Sequence, residues 1–223
     1  MVNNTLIVKF DHGCLDSSSS DSLCISKKVN GVYNVVFDNA SPKPAVGQKK
    51  LLANNTFGFT TNYQIYFTQD YTNDALINSA TDPKDISLGQ YVEWQDNDLT
   101  DAAKADVKLL SADQAKASFA VKNAPKAFHV AVKASTGKSW STIFVDPNQH
   151  MGGGTITITP KNEYILYWYN LTDTEYVHEV FEGDAFKFTF PPGDSTRTIR
   201  YGYATQNQPV EGSETPSFYI VGS

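Results

Sequence analysis

Similar segments recur along this chain at a nearly constant interval. The segment NYQIYF, which begins at Asn62, returns as NEYILYW beginning at Asn162, an offset of 100 residues. Three other pairs of segments match in the same order at offsets between 94 and 99. The four pairs are residues 25–37 with 120–132, 62–67 with 162–168, 89–94 with 183–188, and 117–121 with 216–221. Ordered matches of this kind indicate tandem duplication, so we expect two similar units, at residues 1–123 and 124–223.

Both units carry the pattern of short antiparallel strands. In residues 127–132, AFHVAV, large apolar side chains alternate with Ala or His, which is typical of a half-buried strand. Many short segments of this type, separated by chain-reversal signals such as Asn30-Gly31, favour β-sandwiches. The sequence therefore predicts an all-β fold of two tandem duplicated antiparallel β-sandwich units, each of immunoglobulin-like size. The exception is the Ala- and Lys-rich stretch at residues 100–117, for which we expect a short helical segment.

The charge balance argues against nucleic acid and membrane partners. The chain has 18 Lys and Arg against 24 Asp and Glu, a formal net charge of −6. Its cations are scattered, whereas binding to a phosphate backbone needs clustered cations. No apolar stretch approaches the ~20 residues of a membrane-spanning helix. The first residues lack the basic and apolar regions of a secretory signal, so we expect a cytoplasmic protein in which Cys14 and Cys24 are free thiols.

Motifs for catalysis and metal binding are weak. No serine lies in a G-x-S-x-G motif, and no Cys or His pair has the spacing of zinc ligands, so metal binding stays open. His129 lies between Phe128 and Val130, so strand alternation predicts a solvated or interface position away from the apolar face. His178 precedes Glu179, and these two side chains would need a turn to share a metal site or an acid–base site.

The most informative functional signal is a surplus of aromatic residues in the C-terminal half. In residues 162–170, NEYILYWYN, aromatic side chains fall on both faces of the expected strand. One face must serve the core, and the other needs cover from the neighbouring unit, from another subunit or from a ligand. The candidate ligand-binding residues are His129, Trp140, Tyr167, Trp168, Tyr169 and His178.

Four functions are compatible with these features. The leading hypothesis is a non-enzymatic binding protein that holds a small aromatic ligand or pigment on an aromatic surface or in a cleft between the units. The second hypothesis is a carbohydrate-binding lectin, in which Trp140 and Trp168 stack on sugar rings while Asn and Asp side chains supply hydrogen bonds. The third is a storage or defence protein that self-associates into a homo-oligomer, and the fourth is an enzyme of unfamiliar type such as a hydrolase.

In size, acidity, duplicated β character and aromatic content, the chain resembles cytosolic β proteins of mushroom fruiting bodies, among them the pink chromoproteins of oyster mushrooms. The resemblance is one of overall properties across the chain, and it transfers no role to any particular residue. It implies a bound organic chromophore of the indolone type, which would colour the purified protein.

Overall fold

Strands form almost all of the regular structure. The computed structural model describes residues 3–16, 18–46, 48–69, 71–137, 139–149, 152–171, 176–180, 183, 185–193, 195–203 and 215–221. Gln114–Lys116 form a three-residue 3-10 helix, and the described ranges contain no helix long and apolar enough to cross a membrane. The strands are β1 (Asn3–Phe10), β2 (Ser22–Val29), β3 (Asp38–Ser41), β4 (Lys49–Lys50), β5 (Asn54–Thr60), β6 (Tyr63–Thr68), β7 (Lys84–Ile86), β8 (Gln90–Gln95), β9 (Asp98–Leu99), β10 (Ala103–Lys104), β11 (Phe119–Lys122), β12 (His129–Ser135), β13 (Trp140–Val145), β14 (Thr155–Ile158), β15 (Pro160–Tyr169), β16 (Phe186–Phe188), β17 (Ser195–Gly202) and β18 (Ser217–Val221).

The strands assemble into four mostly antiparallel sheets, which confirms the all-β class expected from the sequence. In spatial order, sheet 1 is β18-β17-β1-β5 and sheet 2 is β16-β15-β2-β3-β4. Sheet 3 is β13-β12-β6-β7, and sheet 4 is β10-β8-β11-β14 with β9 beside β8. The parallel pairs among the described strands are β1 with β17, β3 with β4, and β8 with β11.

Each sheet combines strands from both sides of the boundary expected after residue 123. Strand β1 pairs with β17, for example, so segments near the two ends of the chain share sheet 1. The matched segments also have different neighbours, because β6 pairs with β12 and β7 whereas β15 pairs with β2 and β16. Tandem duplicated sandwich units are therefore not confirmed, and the duplication and its boundary stay predictions.

The stretch at residues 100–117 does not form the helical segment that we expected. Ala103–Lys104 form the short strand β10, and only Gln114–Lys116 are helical, as a single 3-10 turn. A short helix in a protein is stabilised mainly by docking an apolar face. Leu110 is the only buried side chain between residues 100 and 117, so this stretch has no apolar face to dock.

One continuous apolar core connects the four sheets. Alternate residues of β1 point into it, which is the period of two expected for a strand with one buried face. All four sheets contribute large apolar side chains to this core; examples are Leu6 from sheet 1, Ile25 from sheet 2, Ile65 from sheet 3 and Phe119 from sheet 4.

Three loop segments, at residues 32–37, 71–77 and 176–180, cover the outer faces of sheets 2 and 3 and are here called the outer loop cluster. Two smaller apolar clusters lie beneath these loops. Isolated β-bridges tie the loops together, from Val35 to Val177 and from Leu76 to Tyr176. The first loop follows the predicted Asn30-Gly31 turn, in which both residues have positive φ, at 49° and 89°, as a type I′ turn requires.

Both cysteines are free thiols. Cys24 lies in β2 under the outer loop cluster and is fully buried, and this burial raises the pKa of its thiol. Cys14 lies after the end of β1 and is partly exposed.

Candidate functional site

A cleft with a volume of about 730 Å³ lies at one end of sheet 3 and is here called the Trp140 cleft. Side chains of residues paired across neighbouring strands point to the same face of a sheet. In the pairing of β13 with β12, Trp140 lies opposite Ser135. Lys133 precedes Ser135 by two residues, so it is on the same face of the sheet, and it lies opposite Gln64 of β6. Gln64 in turn lies opposite Asp85 of β7. The register therefore places Trp140, Gln64 and Asp85 on one face of the sheet.

Trp140 is the exposed aromatic wall of this cleft. Its side chain is 37% exposed, whereas the other two tryptophans, Trp94 and Trp168, pack against the main core. Tyr63 also lines the cleft but is itself buried, and burial raises the pKa of its hydroxyl to about 12, so the hydroxyl stays protonated. Trp140 is thus an aromatic face open to a ligand from solvent.

Polar side chains supply most of the remaining lining. Gln64 Nε2 donates a hydrogen bond to Asp85 Oδ1 at 2.8 Å, and Gln90 Oε1 accepts one from the backbone N–H of Ser87 at 2.8 Å. An amide carries two donors and one acceptor oxygen, and an ionised carboxylate has two acceptor oxygens. These groups therefore keep donor and acceptor positions for a ligand after their internal hydrogen bonds are made.

A second depression, of about 470 Å³, adjoins the Trp140 cleft because both are lined by Pro83. Its lining includes Thr81, Asp82 and Lys133.

The chain itself covers both faces of the aromatic strand β15. Tyr164, Leu166 and Trp168 point into the main core. Tyr167 and Tyr169 point to the opposite face, where they pack under residues of the outer loop cluster. The sequence alone did not decide whether a neighbouring unit, another subunit or a ligand covers this second face. In the structure, loops of the same chain cover it.

Three of the predicted site residues meet beneath the outer loop cluster. The ring of His178 lies against the rings of Tyr169 and Tyr167, with centroid separations of 3.8 and 5.9 Å. His178 Nδ1 lies 2.9 Å from Asp74 Oδ1, which also accepts a hydrogen bond from the Tyr169 hydroxyl at 2.9 Å. His178 and Glu179 do not share a site, since Glu179 instead accepts a hydrogen bond from another tyrosine of the cluster.

His129 lies on the face of β12 opposite Val130 and Val132, as predicted, but it is buried, at 6% exposure, so the prediction of a solvated position is wrong. The physical reason is that the outer loop cluster buries the second face of sheet 3, which the sequence pattern treated as exposed. His129 Nδ1 lies 2.7 Å from the backbone carbonyl oxygen of Asp146, so Nδ1 carries a proton. The ring of Tyr71 stacks on His129 with a centroid separation of 5.5 Å.

Trp168 lies on the core side of β15, away from Tyr167 and Tyr169. Its ring contacts Phe10 and Tyr201, with centroid separations of 5.9 and 5.4 Å. A pocket of about 260 Å³ opens beside it and is lined in part by Cys14, Leu15, Trp168 and Tyr201.

The six candidate residues thus lie in three places. Trp140 lines the large cleft, Trp168 lines the small pocket on the core side, and the other four lie in or under the outer loop cluster. Sequence reasoning missed Gln64 and Asp85, although the alternation in NYQIYF could have placed Gln64 on a polar face. Within the described ranges, no group of three or more His, Cys, Asp or Glu side chains could hold a metal ion.

Function lives in sites rather than in folds, so the chemistry of these three places carries the functional argument. No protein-family model matches the chain, and no curated protein or solved structure shows significant similarity to it.

Proposed function

We propose that this protein binds carbohydrate without transforming it, and that the Trp140 cleft is the binding site. The observation that carries the proposal is an exposed tryptophan in register with an amide and a carboxylate on one sheet face. The apolar C–H face of a sugar ring packs on an indole, while its hydroxyls both donate and accept hydrogen bonds. Gln64 and Asp85 supply partners of both kinds.

The size and polarity of the cleft favour a sugar over a flat aromatic ligand. Its volume of about 730 Å³ lies within the range of ~300–1,000 Å³ common for ligand sites. An aromatic ligand, however, needs a predominantly apolar lining, whereas Asn62, Gln64, Asp85, Ser87 and Gln90 line this cleft.

The charges at the cleft favour a neutral glycan. The ammonium group of Lys84 lies 3.8 Å from the Asp98 carboxylate and 3.9 Å from that of Asp101. Nearby carboxylates thus offset the cation, and the cleft has no cluster of positive charge among its lining residues to attract an anionic sugar.

The test is a glycan array with the purified protein, followed by calorimetric titration of the strongest hit. Trp140→Ala should weaken binding at least tenfold because the stacking surface is lost, whereas Trp140→Phe should retain part of it. Ile220→Ala is the matched control, since Ile220 is an apolar side chain of similar exposure, 46%, on sheet 1. An array without hits, or equal affinity of the Trp140→Ala variant and the parent, would overturn the proposal.

A second candidate function is the binding of a small aromatic molecule or pigment beside Trp168. The specific observation is the pocket of about 260 Å³ between Trp168, Tyr201 and Leu15, which provides two aromatic walls. An absorption spectrum of protein purified from its natural source tests this candidate. An absorption band at longer wavelength than that of tryptophan, lost on Trp168→Ala substitution, supports this candidate. A spectrum that shows only tryptophan and tyrosine absorption argues against it.

A further inference from the structure

A separate pocket of about 280 Å³ opens in the outer loop cluster. Its lining residues include Tyr33, Asn34, Tyr71 and Glu179. None of its described lining residues carries a positive charge. The pocket therefore combines aromatic surface with negative charge.

Asn34 contributes a buried acceptor without a partner. Its side chain is 2% exposed, and its Nδ2 donates a hydrogen bond to the backbone carbonyl oxygen of Val145 at 2.6 Å. This bond fixes the amide orientation, since the reversed amide would place two acceptor oxygens against each other. Asn34 Oδ1 has no hydrogen-bond partner among the described residues, and a buried acceptor in that state is costly.

The nearby donors are already engaged. The Tyr71 hydroxyl donates to Glu179 Oε1 at 2.5 Å. Burial and this hydrogen bond raise the pKa of Tyr71 to about 12 against the opposing effect of a hydrogen bond with the Asn34 side chain, so the Tyr71 hydroxyl keeps its proton at neutral pH. The groups left for a ligand are therefore acceptors, Asn34 Oδ1 and the Glu179 carboxylate.

We propose that this pocket binds a small organic ammonium ion. An ammonium group supplies the N–H donors that Asn34 Oδ1 lacks and the positive charge that the Glu179 carboxylate attracts. Aromatic faces such as those of Tyr33 and Tyr71 attract cations as well. The volume of about 280 Å³ restricts the ligand to a small molecule such as a single-ring amine.

An existing contact shows that a cation is tolerated beside this pocket. Lys28 Nζ lies 5.3 Å from the centroid of the Tyr33 ring. Its charge is paired with the Glu163 carboxylate at 3.1 Å.

The test is calorimetric titration of the intact protein with benzylammonium, and with benzyl alcohol as a neutral analogue of the same shape. Benzylammonium should bind at least tenfold more tightly than the alcohol, because hydrogen bonds to charged groups are the stronger ones. Glu179→Gln should weaken benzylammonium binding at least tenfold. Glu179 is exposed, so this variant should fold, and it keeps an oxygen that accepts the hydrogen bond from Tyr71.

Asp113→Asn is the control, since it removes a carboxylate that is 94% exposed and lies outside this pocket; its affinity should match that of the parent. Equal affinity for the amine and the alcohol, unchanged affinity in the Glu179→Gln variant, or benzylammonium binding with a Kd weaker than about 1 mM would each overturn the proposal. The Trp140→Ala variant should bind benzylammonium with the affinity of the parent, so the proposal for this pocket and the proposal for the Trp140 cleft are tested independently.

Discussion

Lys27 is a lysine buried in a β-sheet, and replacing it tests how its charge affects stability. It lies in β2, is 4% exposed, and its Nζ donates a hydrogen bond to the Tyr164 hydroxyl at 2.6 Å. No carboxylate lies within salt-bridge distance of Nζ in the described part of the chain. Burial without a counter-charge lowers the pKa of Lys27 from its ordinary value of 10.5 to about 7, because desolvation disfavours the charged form.

This lowered pKa corresponds to about 5 kcal/mol of unfolding free energy, at about 1.4 kcal/mol per pH unit. Between pH 7 and pH 10.5 the unfolded chain binds more protons at this lysine than the folded chain does. Stability from this group should therefore rise with pH across that window and be flat below pH 7. At pH 7, Lys27→Met removes a penalty of about 4 kcal/mol but leaves the Tyr164 hydroxyl without a partner, which costs about 1–3 kcal/mol.

The expected result at pH 7 is a Lys27→Met variant about 1–3 kcal/mol more stable than the parent. The double variant Lys27→Met/Tyr164→Phe removes both hydrogen-bonding partners and should recover more of the penalty. Urea denaturation followed by circular dichroism from pH 6 to pH 10 measures these differences, and subtracting parent from variant cancels the other titrating groups. Lys108→Met, at an exposed lysine, is the control and should show no pH-dependent difference.

The shape of this pH profile decides the outcome. The advantage of Lys27→Met should shrink as pH rises above 7 and be lost or reversed by pH 10, where the folded-state lysine is neutral and the pH approaches the unfolded-state pKa of 10.5. A difference that stays constant over this range would refute the reasoning, since Lys27 would then keep the same charge in the folded and unfolded chains.

Three further predictions follow from packing, burial and topology. Gly58→Ala should cost about 1–3 kcal/mol in urea denaturation, because the added Cβ would lie 2.8 Å from the carbonyl oxygen of Thr136; Gly154→Ala, which meets nothing within 4 Å, is its control and should cost much less. A thiol reagent followed by mass spectrometry should modify Cys14 in the native protein and Cys24 only after unfolding, since Cys24 is 0% exposed; rapid modification of both would contradict this. Residues 1–123 expressed alone should lack cooperative unfolding by circular dichroism, because every sheet needs strands from beyond this range; a cooperative transition would instead support tandem domains.

Sequence reasoning succeeded where the signal is local. The alternation in residues 127–132 predicted a strand, and β12 (His129–Ser135) forms there. The Asn30-Gly31 turn was likewise predictable, because few residue pairs accept positive φ at both positions. Strand type and turn type depend on a few neighbouring residues, so a single sequence contains the information.

Strand pairing is not local, and here the sequence was insufficient. NYQIYF and NEYILYW each form a strand with aromatic residues on buried faces, yet β6 and β15 belong to different sheets. The same limitation applies to the Trp140 cleft. Trp140 was a candidate from its residue type, but its proximity to Gln64 and Asp85 depends on the register of β13, β12, β6 and β7.

The aromatic strand β15 shows why a surplus of aromatic residues is a poor indicator of a binding site in a multilayered β protein. Each aromatic side chain buries ~150–250 Å², so covering a second face of β15 with loops at residues 32–37 and 176–180 stabilises the fold without any ligand. The Tyr167 hydroxyl accordingly forms a hydrogen bond with the Ser26 hydroxyl inside the protein, at 3.0 Å. Trp140 differs because its ring is exposed beside polar groups, a position that packing alone does not favour. In a fold where loops cover the second face of an aromatic strand, a partly exposed aromatic residue in a polar cleft is therefore the better guide to function than the number of aromatic residues.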